Sequence, residues 1–102
     1  MKVYNKLVRD KIPEIIQNSG KTCAAYILTD EEYIEALESK LNEEVAEYQA
    51  DKNLEEMADV LEVLHAICLA RGYSLDDLEA MRAKKTEERG DFSEKIFLEY
   101  VE

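Results

Sequence analysis

Apolar positions recur along this chain at intervals of three and four, the spacing that puts side chains on one face of an α-helix. Ile12, Ile15 and Ile16 form the first such stripe. With Pro13 in the first turn and Asn18-Ser19-Gly20 as a stop, they predict a short helix that includes residues 12–17. A second stripe, Tyr33, Leu37, Leu41, Val45 and Tyr48, predicts a helix over about 30–50, opened by Thr29-Asp30 as a cap. After a break at Asp51-Lys52-Asn53, a third stripe runs through Met57, Val60, Leu61, Leu64, Ile67 and Cys68 to Gly72. Asn53 serves as N-cap there and Glu56 as its capping-box partner. Ser74 with Asp77 opens a fourth helix by the same logic, ending near Arg89-Gly90. Two stretches lack this period. Residues 24–28 read as a strand or an extended loop, and the tail around 96–100 is rich in β-formers, so a small two-stranded ribbon between them is the expectation. The fold expected is all-α, a four- to five-helix bundle with that ribbon at most, in a single domain covering 1–102.

Composition then changes the picture. Among 102 residues, 24 are Asp or Glu against 13 Lys or Arg, leaving a net charge of -11. A chain so acidic is a poor binder of nucleic-acid polymers, which recruit basic surfaces. Anionic small molecules stay open as ligands, because a metal ion can bridge acidic protein to phosphate. Cys23 and Cys68 fit no metal-ligand spacing and read as small core residues. Nothing at the start reads as a signal peptide, and no apolar run approaches the ~20 residues that cross a bilayer, so a cytoplasmic protein without membrane contact is expected.

The acidic residues are not evenly spread. Glu43, Glu44 and Glu47 lie on the second helix, Glu56 and Asp59 on the third. Glu44/Glu47 and Glu56/Asp59 are each i, i+3 pairs sharing a face. If the helices fold back around the break, Glu47 and Glu56 lie near the turn. Glu44 and Asp59 then lie deeper at matched heights, and four carboxylates converge. Uncompensated negative charge on a helix seam calls for a cation, and an all-oxygen set suits Mg²⁺, or Mn²⁺ as substitute. The competing reading is a solvated acidic face. Glu43, one residue off the Glu44/Glu47 face, is either an extra participant near the metal or simply solvated. Glu62, three beyond Asp59, is a comparable outer candidate. Lys40, four before Glu44, reads as a surface ion-pair partner.

Leu41-Asn42-Glu43-Glu44-Val45-Ala46-Glu47 followed by Glu55-Glu56-Met57-Ala58-Asp59-Val60 resembles the paired Glu-Glu-x-x-Glu and Glu-x-x-Asp motifs of the all-α nucleoside triphosphate pyrophosphohydrolases. These are the MazG-like enzymes, with the related phosphoribosyl-ATP pyrophosphohydrolases and dimeric dUTPases. The opening from Tyr4 to Pro13 and the late run from Lys85 to Phe92 resemble a small, stand-alone phosphoribosyl-ATP-pyrophosphohydrolase-like branch. The resemblance implies Mg²⁺-dependent cleavage of a nucleotide between its α- and β-phosphates, releasing a monophosphate and pyrophosphate. It implies a homodimer or homotetramer, and a housecleaning role toward the nucleotide pool. It implies Glu44, Glu47, Glu56 and Asp59 as metal ligands and catalytic groups, and it favours Lys6, Arg9, Lys85 and Arg89 as phosphate-binding cations; Glu43 is, by proximity, the candidate to accept the attacking water's proton. The alternatives are phosphoribosyl-ATP itself as substrate, or a non-catalytic metal- or nucleotide-binding module.

Overall fold

The computed structural model describes residues 1–102 and contains four helices: α1 Ile12–Asn18, α2 Asp30–Asp51, α3 Leu54–Ala70 and α4 Leu75–Arg89. The caps sit where the polar punctuation placed them. Thr29 and Glu32 close a reciprocal capping box on α2, and Ser74 and Asp77 do the same on α4. These pairs satisfy backbone N–H groups that the first turn of a helix leaves without partners. The break is tighter than expected. α2 runs through Asp51, so only Lys52 and Asn53 separate it from α3. Lys52 makes the reversal in the left-handed region at φ 50, with its N–H donating to Tyr48 O at 2.7 Å. Asn53 then caps α3, its side-chain oxygen accepting from Glu56 N at 2.9 Å, but the Glu56 side chain does not return the bond, so the capping box expected there is only half formed.

So short a connection forces α2 and α3 into an antiparallel hairpin. That hairpin makes most of the tertiary contacts; α4 touches α3 along a short stretch, and the backbone of α1 comes close to no other helix. Leu37 of α2 and Val63 and Cys68 of α3 are the buried apolar residues, whereas Cys23, expected in the core with Cys68, is exposed. The fourth buried residue is Glu44. Positions 37, 41, 44 and 48 follow a four, three, four spacing, so Glu44 occupies the seam that the hydrophobic pattern assigned to Val45, and Val45 is left 38% exposed. At the far end of the hairpin Arg71 Nη2 donates to Glu38 Oε1 at 2.8 Å, an exposed pair of small energetic weight.

The β-ribbon does not form. The chain has no strand, and residues 24–28 and 96–100 exchange no backbone hydrogen bond. Ile27 and Phe97 are 97% and 89% exposed. A lone two-stranded ribbon is marginal in water unless one face is covered, and both segments are exposed apart from half-buried Leu28. The all-α expectation holds with four helices, and no helix is long and apolar enough to cross a membrane.

Asn53 links fold to chemistry, because the turn it caps carries Glu56. Asn53→Ala is expected to cost about 1 kcal/mol. Chemical denaturation measures this, and a midpoint unchanged at constant slope would show that the cap is idle.

Candidate metal centre

Folding the hairpin brings Glu44 of α2 to Glu56 and Asp59 of α3, with a carboxylate oxygen from each lying within 4.8 Å of the others. Glu43, Glu44 and Glu47 form a second such group along α2. Glu44 belongs to both. The four expected ligands therefore do not form one ring: three converge across the helix pair, while exposed Glu47 joins through Glu44. Glu62 is exposed and belongs to neither group.

The N-terminal segment crosses both helices of the hairpin. Lys6 Nζ donates to Glu43 Oε1 at 3.0 Å on α2, and Arg9 Nη2 donates to Asp59 Oδ1 at 2.6 Å on α3. Lys40 adds a third cation from within α2. Its Nζ lies 3.3 Å from Glu43 Oε2 and 3.2 Å from Glu44 Oε1, with only 14% of its side chain exposed. The i, i+4 spacing to Glu44 had marked it as an ion-pair partner, but on a surface; the structure makes it the inner cation of the site. The pairing of Lys6 and Arg9 with carboxylates was not legible from spacing, since it joins residues 37 and 50 positions apart. Lys85 and Arg89 are exposed on α4, and no ion pair or hydrogen bond links their side chains to the carboxylates.

Electrostatics separate the acids. Burial raises the Glu44 carboxyl above the ordinary value; the hydrogen bond from Lys40 pulls it back only in part, and neighbouring Glu47 adds to the rise. Burial also raises Glu56, and the charge of Asp59 pushes the same way. For Glu43, burial acts upward but is outweighed by hydrogen bonds from Lys6 and Lys40, which hold it below the ordinary value. Lys6 is raised in turn, chiefly by its hydrogen bond to Glu43. A proton acceptor works best with a pKa near the working pH, so Glu43 suits an anchor for Lys6 and Lys40 better than a base.

Two oxygens are unsatisfied. Glu44 Oε2 and Glu56 Oε2 are buried and accept no hydrogen bond. An ionised carboxylate oxygen out of water with no donor is costly, and a cation is the partner such an oxygen lacks. The charges agree. Glu43, Glu44, Glu47, Glu56 and Asp59 face Lys6, Arg9 and Lys40, which leaves two negative charges, the amount one divalent ion neutralises. Oxygen donors only, on two helices, fit Mg²⁺ or Mn²⁺.

An apolar hollow flanks this cluster, lined by Val45 and Tyr48 of α2 and Met57 and Val60 of α3, with a volume of about 260 Å³. No known protein family profile matches the chain, and no solved structure is significantly similar to it. A protein of Mycolicibacterium smegmatis described only as uncharacterized is 56% identical over 45 residues. That match spans 44% of this chain and 46% of the relative, so less than half of the relative's length is represented.

Proposed function

We propose that this chain is a Mg²⁺-dependent nucleoside triphosphate pyrophosphohydrolase of the MazG-like, phosphoribosyl-ATP-pyrophosphohydrolase-like type, acting on the cytoplasmic nucleotide pool as a homo-oligomer. The observation that carries the reading is the convergence of Glu44, Glu56 and Asp59 across the hairpin with two buried oxygens that no protein donor satisfies. Glu44, Glu56 and Asp59 would hold the ion, with Glu47 reaching it from the exposed side. Mg²⁺ bound there supplies charge neutralisation on phosphate oxygens and a polarised water.

The residues of the chain do the rest. In the hydrolysis, the water oxygen bonds to the α-phosphorus and its proton passes to solvent at the exposed side of the site, the bond from that phosphorus to the bridging oxygen breaks, and pyrophosphate leaves with the bridging oxygen. Glu43, ionised and anchored by two lysines, holds Lys6 next to the carboxylates. Lys6 and Arg9 carry exposed positive charge at the edge of the site, where triphosphate oxygens compete with Glu43 and Asp59 for them. Arg9 offers the planar fork that suits phosphate, and the hollow beside Tyr48 and Met57 offers an apolar surface to a base. Lys85 and Arg89 serve phosphate in this reading only if a second copy brings them to the site.

The test is metal-dependent pyrophosphate release from a panel of ordinary and modified nucleoside triphosphates, with phosphoribosyl-ATP beside them. Release from one or more triphosphates that requires Mg²⁺ and falls by about 10²-fold or more in Asp59→Asn is the expected result. Turnover of phosphoribosyl-ATP alone would reassign the substrate. Folded protein that binds Mn²⁺ yet releases nothing across the panel would leave a binding module.

A further inference from the structure

Only side chains fasten the start of the chain to the hairpin. Residues 1–8 make no backbone hydrogen bond, and among residues 1–10 only Leu7 is half-buried. Two ion pairs, one on either side of Leu7, hold this segment across both helices: Lys6 to Glu43 of α2 at 3.0 Å and Arg9 to Asp59 of α3 at 2.6 Å. Both are open to water, with 57% of the Arg9 side chain exposed, and exposed pairs are weak and screened by salt. A segment tied so lightly opens readily.

The two ties fall on groups that the metal centre uses. Asp59 is one of the three carboxylates that converge across the hairpin, and Arg9 occupies its Oδ1. An ion on Asp59 and a guanidinium on the same carboxylate are like charges within about 6 Å, so each weakens the hold of the other. Lys6 takes up Glu43 Oε1, beside Glu44 in the second acidic group. Lys40 differs from both, because it is fixed within α2, 14% exposed and 3.2 Å from Glu44 Oε1, and has no loose segment to swing on. With Lys6 and Arg9 in place the five carboxylates keep two net negative charges; with both withdrawn they face Lys40 alone and keep four.

We infer that residues 6–9 are a latch on the metal centre: Arg9 and Lys6 hold it against a free divalent ion, and the metal complex of a polyphosphate opens it by offering phosphate oxygens to both side chains. The inference rests on the proposed metal centre and adds how access to it is controlled. Guanidinium and ammonium groups exchange a carboxylate for a phosphate with little loss, since both are strong charge-assisted acceptors. A bare ion offers no such exchange. It shares Asp59 with Arg9 or expels Arg9 into water. Ion and polyanion therefore bind with positive coupling, each removing what opposes the other. Because the same two cations serve both halves, losing one helps the bare ion and harms the complex.

Titration calorimetry in about 0.1 M salt reads the two halves. Arg9→Gln should bind free Mn²⁺ roughly three- to five-fold more tightly than the natural chain, the weight of one exposed pair, and the Mn²⁺ complex of inorganic tripolyphosphate more weakly by at least as much. Lys6→Gln should follow in the same two directions, with the smaller gain for the bare ion. Lys11→Gln removes the same charge from the same segment without breaking an ion pair, and should change neither affinity. Unchanged Mn²⁺ affinity in Arg9→Gln, or an equal gain in Lys11→Gln, overturns the latch and leaves the metal centre standing. No Mn²⁺ binding by any of these chains overturns both. Trypsin gives a reading on the natural chain, since it cuts after lysine and arginine side chains that are free to enter its pocket. Relative to the cut after exposed Lys21, cutting after Lys6 and Arg9 should quicken in Mn²⁺ and slow again in Mn²⁺ with tripolyphosphate. A ratio moved by neither addition overturns the latch.

Discussion

Glu44→Gln is expected to remove metal binding and at least about 10²-fold of pyrophosphate release while making the metal-free protein more stable. The two effects have one cause. Glu44 is the seam residue shared by both acidic groups, and its Oε2 is buried without a donor among carboxylates that are themselves acceptors. An amide there donates where only acceptors now meet, and it keeps an oxygen for Lys40, which lies 3.2 Å from Glu44 Oε1. Relief of one unsatisfied buried charge is worth on the order of 1 kcal/mol, which raises Tm by about 4–8 °C in a chain of this length. Titration calorimetry with Mn²⁺ and a thermal scan in EDTA check the two halves. A variant with lower Tm and intact metal binding would mean that Glu44 is a structural partner of Lys40 and nothing more.

The stability of the metal-free chain should rise as pH falls from neutral. Glu44 and Glu56 have folded-state pKa values above the unfolded 4.5. Between that value and their raised ones the folded chain holds more protons than the unfolded chain, so stability increases toward lower pH. Glu43 acts in the opposite sense: held below 4.5, it contributes stability that is lost as pH falls through its lowered value. A stability maximum in mildly acidic solution follows. Mg²⁺ inverts the trend, because it binds the ionised carboxylates and must displace their protons. At a hundred-fold excess over Kd it adds about 2.7 kcal/mol, on the order of 10 °C in Tm. The gap between Mg²⁺ and EDTA scans should widen from about pH 5 to about pH 8. Coincident scans across that range would remove the ion from the site.

Much of this was open to inspection in the residues. Capping is local, since Thr29 directly precedes α2 and Ser74 with Asp77 spans three residues, so these helix starts could be read directly, while the return bond from Glu32 appeared only in the structure. The i, i+3 acidic pairs were visible for the same reason. Side-chain partners across long separations were not. That Lys6 meets Glu43 and Arg9 meets Asp59 depends on where an irregular segment crosses the hairpin, and no periodicity encodes that path. The ribbon was misread because β-forming composition in residues 24–28 and 96–100 describes a preference, while pairing requires a covering layer that neither segment has.

Sequence by itself determined the four helices, the N-cap residues of α2, α3 and α4, the break between α2 and α3 and the pair of acidic claws, because each depends on residues within one or two helical turns. Tertiary structure alone decided that Glu44 rather than Val45 occupies the buried seam, that three carboxylates rather than four converge, and that two of their oxygens lack a donor. The physical reason is that a shift of one position rotates a side chain by about 100° around its helix. Which neighbour it faces is settled only when the second helix packs.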